Sequence, residues 1–178
     1  MPLARLADRL SAAVGRLCAG LVVAMTVAGA AGALLRYLAG PLGLDPPLNA
    51  LADAQWMLFS AVFLLGAGWA LSTDAHVRVD VLYGRLSERG RAWIDLGGTA
   101  LLLLPFCALL LWVTTPAVVG AVAIREASLD PGGLARWPVK LLVPVGAALL
   151  ALQGLAQAAK AAAVLHGEGP GGEAPPRP

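Results

Sequence analysis

Charged side chains are scarce in this chain: Asp, Glu, Lys and Arg make up 13% of its 178 residues, where a soluble domain carries about 25%. Histidine occurs twice, as His76 and His166, and cysteine twice, as Cys18 and Cys107. There is no CxxC pair and no Cys/His cluster at metal-ligand spacing, which excludes a zinc site and a dithiol redox centre. Facing histidines within apolar stretches, needed to ligate a haem between helices, are absent as well. No basic run is interleaved with aromatics, so nucleic acid is not an expected partner. The sequence offers no catalytic residue, no metal site and no cofactor site.

Long apolar runs are abundant instead. Leu17–Leu35, Ala54–Ser72, Leu96–Ile124 and Leu141–Ala159 contain no ionisable side chain, and each reaches the ~20 residues that span a bilayer core. The expected fold class is therefore an all-α membrane protein of four transmembrane helices. Their expected bounds are residues 17–36, 54–72, 94–122 and 138–160, preceded by an amphipathic lead-in over residues 1–16. Residues 161–178 are rich in Gly, Pro and Glu; they cannot bury enough apolar surface to offset ordering and read as a disordered tail. Transporters and proton channels normally place a carboxylate, His or Arg at membrane depth. Here Asp53, Asp74 and Asp95 fall at the edges of the runs, so the chain is not expected to carry coupling chemistry itself.

Orientation follows from Lys and Arg. Nine lie in the N-terminal segment (Arg5, Arg9, Arg16), the central connector (Arg78, Arg85, Arg89, Arg91) and the C-terminal segment (Lys160, Arg177), against four on the other side (Arg36, Arg125, Arg136, Lys140). That excess places both termini in the cytoplasm. Tyr37, Trp56, Trp69, Trp93 and Trp137 at helix ends form the matching aromatic belt. Ala28-Gly29-Ala30 fits a signal-peptidase pattern, but the apolar run continues to Leu35, beyond the ~7–15 residues of a signal core.

Within this frame several features invite a role. Gly20, Ala24, Ala28 and Gly32 form a four-residue ridge of small side chains, a candidate packing seam. Val79, Leu82, Tyr83 and Leu86 fall on one face of a short amphipathic helix between the second and third spans. Its lipid-facing arginines would lie at the cytoplasmic interface. Pro105 and Pro116 interrupt the third run, with Thr114 and Thr115 placed to satisfy freed carbonyls. Gln153 and Gln157 are the only strongly polar side chains in a helix interior, and each requires a hydrogen-bond partner within the bundle or on an adjoining protein.

The segment His76-Val-Arg78-Val-Asp80 and the stretch from Arg125 to Gly146 carry a family resemblance. Glu126, Ser128, Gly133-Leu134, Trp137-Pro138, Lys140, Pro144-Val-Gly146 and Leu152-Gln153-Gly154 occur in the order seen in the small membrane subunit (DctQ type) of tripartite ATP-independent periplasmic (TRAP) transporters. Ala135 departs from that pattern, which often has Pro there. The resemblance covers about Ala50 to Gln157. It implies a bacterial inner-membrane protein whose partners are a large permease subunit, a periplasmic solute-binding protein and membrane lipids. The small subunit would be a non-catalytic scaffold in sodium- or proton-driven uptake of organic acids. His76, Arg78, Asp80, Trp137, Pro138, Lys140, Pro144 and Gln153 are the candidate partner-contact or structural residues.

Overall fold

A computed structural model describes residues 2–43, 46–73, 75 and 86–167. Four helices account for most of them: α1 (Pro2–Leu42), α2 (Leu48–Ser72), α3 (Glu88–Ala123) and α4 (Trp137–Leu165), each long and apolar enough to cross a membrane. The amphipathic helix expected around Val79–Leu86, with His76, Arg78 and Asp80 before it, lies outside the described residues apart from Leu86. So does the tail beyond Gly167.

Local chemistry sets the helix ends. Gly43, at a φ of +63°, stops α1 with a backbone conformation that costs glycine little. Pro46 and Pro47 then prevent helix until Leu48. Ser87 caps α3 by accepting a hydrogen bond from the Gly90 amide at 3.2 Å, with Glu88 favourably placed in the first turn. At the far end, Glu126 N–H reaches the Ala121 carbonyl and Arg125 N–H the Val122 carbonyl. This is a Schellman closure with Arg125, at a φ of 48°, in the position glycine usually fills.

The lead-in expected over residues 1–16 and the first span form one unbroken helix, roughly 60 Å long and about twice the thickness of a hydrocarbon core. Proline reshapes α3 rather than ending it. Pro105 has no N–H for the Leu101 carbonyl, and the preceding turn, Thr99–Leu103, widens into a π-helical turn. Thr114 and Thr115 donate to the Leu110 and Leu111 carbonyls, one residue short of the Trp112 carbonyl that Pro116 leaves free.

The helices make an open array around α4, which packs against α1, α2 and α3. Helices α1 and α2 run as a long antiparallel pair, whereas α3 packs mainly along α4. Close approach between α2 and α4 depends on Gly146, where a Cβ would stand 2.5 Å from the Leu64 carbonyl oxygen. The packing seam of α1 is not the predicted one. Ala4, Ala7, Ser11 and Cys18 are buried, while Gly20 is open on all sides, with nothing within 4 Å of a Cβ there. Four residues turn a helix by about 400°, so a strict four-residue ridge drifts about 40° per step out of the interface. The alternating three- and four-residue spacing of Ala4, Ala7, Ser11 and Cys18 does not.

Candidate functional site

Polar side chains collect at the two ends of the array. At one end, the loop between α3 and α4 folds back as a small hairpin, with Ala127 and Ala135 paired antiparallel. Ser128 N–H donates to the Leu134 carbonyl and Arg136 N–H to the Glu126 carbonyl, both at 2.8 Å. The hairpin is pinned to α2 by Asp53, which is only 4% exposed. One carboxylate oxygen accepts from Trp56 Nε1 at 2.9 Å and the other from the Leu134 amide at 2.9 Å; the Ser128 side chain bonds it too. Gly133 lets the loop come this close, since a Cβ there would lie 2.6 Å from Asp53 Oδ2 and 2.4 Å from Ser128 Cβ. Asn49 adds a second tie, donating to the Pro131 carbonyl at 3.0 Å.

Positive charge backs this hub. Arg136 Nη2 donates to Ser128 Oγ at 3.2 Å, and its guanidinium lies 6.0 Å from the Trp56 ring centre, within cation–π range. Arg136 Nε is buried without a hydrogen-bond partner among the described residues. Lys140, one turn into α4, forms an ion pair with Glu126.

At the opposite end the first and last helices are clasped. Ser11 Oγ donates to Gln153 Oε1 at 2.8 Å, and Gln153 Nε2 donates to Asp8 Oδ1 at 3.0 Å. Lys160 Nζ closes the cluster on both Asp8 oxygens, at 2.8 and 2.7 Å. Gln153 itself has no exposed surface, so its amide relies on these bonds.

The structure thus separates the predicted residues into groups. Trp137 and Lys140 serve the α3–α4 hairpin, the former through its backbone N–H to the Glu126 carbonyl at 3.2 Å. Pro138 is exposed in the first turn of α4, where a missing N–H costs nothing. Pro144 is half-buried about two turns into α4. Gln153 lies about 24 Å along α4 from Trp137, in the other cluster. Asp53, Asp8 and Ser11 are the residues sequence reasoning passed over. The signals were there: Asp53 precedes Trp56 by one turn, and Asp8 and Ser11 share one face of α1.

Both carboxylates are occupied in holding helices and a loop. This arrangement ties the helix ends to one another and to the loop between α3 and α4.

The model of one protein family, described as the DctQ component of tripartite ATP-independent periplasmic transporters, matches residues 25–164. The chain belongs to this family. It is accordingly a membrane component of a transporter, with the α3–α4 hairpin, Asp53 and most of α4 inside the matched stretch. Asp8, Ser11 and the arginines of the first 16 residues precede it. No curated protein and no solved structure matches the chain.

Proposed function

We propose that this chain is the non-catalytic scaffold of a TRAP-type importer of organic acids. It would sit in the bacterial inner membrane, with both termini cytoplasmic, beside a large permease subunit served by a periplasmic binding protein. The observation that carries this reading is where the polar groups are used. The described carboxylates of the two clusters are consumed in structural ties at the ends of the array, and the membrane-depth stretch between them is apolar. A protein that coupled an ion gradient to transport would keep an ionisable group there. The open array supports the same reading, because α3 is braced mainly by α4 and keeps a broad apolar surface that includes Leu101, Phe106, Leu109 and Trp112.

Trp137 and Lys140 then act by fixing the outer hairpin, which faces the periplasm in this topology. His76, Arg78 and Asp80 order the cytoplasmic connector. Pro138 and Pro144 set the path of α4 against the large subunit. The test is purification of the tagged chain in mild detergent with mass spectrometry of its companions. Stoichiometric recovery of a much larger polytopic protein is expected. A chain that purifies alone would contradict the scaffold role, as would intact assembly and uptake after alanine replacement of His76, Arg78, Asp80, Trp137, Pro138, Lys140 and Pro144 together.

A further inference from the structure

The cationic side chains of the described residues are not used alike. Arg136, Lys140 and Lys160 each face a carboxylate. Arg5, Arg9 and Arg16 are exposed on α1 and make no hydrogen bond or ion pair with another described residue. Because α1 is continuous from Pro2, their directions follow from the helix period, and the three fall within about 40° of one another. They form one stripe. Leu6, Leu10 and Leu17, exposed by 65%, 40% and 54%, make a second stripe about a quarter-turn away.

Depth distinguishes the three arginines. Arg9 follows Asp8, which is tied to Lys160 at the end of the apolar part of α4. Arg16 follows Gly15, which abuts the Trp69 ring one turn before α2 ends. Arg16 is therefore about 10 Å deeper than Arg9. Side chains on a helix lean toward its N-terminus, which here means away from the bilayer centre, and a long arginine snorkels in that direction. Arg16 from below and Arg9 from its own level approach the same headgroup layer, with Arg5 a turn further out. Cationic and apolar stripes side by side are the pattern of a helix surface lodged at a lipid interface.

We propose that Arg9 and Arg16, with Arg5 a turn further out, engage the headgroup phosphates of anionic phospholipid, of phosphatidylglycerol type, in the leaflet at the N-terminal end of α1. The leucine stripe accommodates its acyl chains. The leaflet is the cytoplasmic one if the topology proposed above holds; the binding itself does not depend on that. Arginine suits the role because its planar fork engages phosphate oxygens two at a time. The stripe precedes the family-matched residues 25–164, so it is a feature of this chain's own N-terminal segment.

The test uses the full chain in the complex in which it purifies, exchanged into nanodiscs of phosphatidylcholine alone or an equal mixture with phosphatidylglycerol. Retained lipid is read by native mass spectrometry. Selectivity for phosphatidylglycerol should fall roughly fivefold for each arginine changed to glutamine. It should survive in the Arg5→Lys/Arg9→Lys/Arg16→Lys variant at reduced strength, and Arg125→Gln, on the opposite side, should leave it unchanged. Unaltered selectivity in the triple glutamine variant would overturn the proposal. So would loss of a co-purifying protein with lipid selectivity intact, which would make the stripe a protein-docking surface. Nanodiscs expose both leaflets, so a wrong topology would leave these results standing. Reagent access to Arg5→Cys in intact cells reads topology separately.

Discussion

The two ends of the array use similar chemistry to different effect. At the hairpin end a nearly inaccessible carboxylate, Asp53, organises a loop by accepting from a backbone amide and an indole. At the clasp end the carboxylate, Asp8, is 38% exposed in its side chain, and the inaccessible group is the neutral amide of Gln153. A buried acceptor that serves several donors leaves all of them unpaired when it is removed. An ion pair at the rim loses little, since water replaces it and long side chains regain freedom. The hairpin end should therefore be the brittle one, and the opposite end a graded clasp.

The largest expected effect comes from Asp53→Ala, which strips the Trp56 indole and the Leu134 amide of their acceptor. Hydrogen exchange at Leu134 should accelerate by on the order of tenfold or more, with Asp53→Asn milder because an amide oxygen remains. Equal exchange in Asp53→Ala and wild type would remove the distinction between the two ends. Next is Gln153→Leu, which frees Ser11 and one contact of Asp8. Hydrogen bonds between membrane helices are worth ~0.6 kcal/mol on average, so two of them should cost about 1 kcal/mol in detergent unfolding.

Arg125→Gly should act in the opposite direction. Replacing a side chain held in the left-handed conformation offsets glycine's greater unfolded freedom and should stabilise by about 0.5 kcal/mol, visible as a small rise in Tm. Lys160→Ala is expected to be the mildest, costing a few tenths of a kcal/mol and losing even that at high salt. A Lys160→Ala penalty larger than that of Gln153→Leu would show that the clasp is held by charge rather than by the buried amide.

What could be read in the sequence depended on the range of the interaction. Four apolar runs located the membrane helices because burial in lipid requires only length and composition. Gln153 announced its need for a partner because a polar amide inside an apolar run must be satisfied by another group. Ser11 and Asp8 supply the answer from more than 140 residues away, a distance no local pattern encodes. Asp53 looked like a helix-edge charge because the loop that buries it lies 81 residues on. The ridge from Gly20 to Gly32 misled through its period: four-residue spacing is regular in sequence but winds around the helix. Pro105 announced an irregularity, but only the structure shows that it is met by a widened turn one step earlier.

Reconstitution in liposomes tests the scaffold role most directly, with organic-acid uptake measured under an imposed sodium or proton gradient. The chain alone should give no uptake. The large subunit and binding protein should need this chain for full activity. Uptake by this chain by itself, or undiminished uptake by the other two without it, would contradict that role.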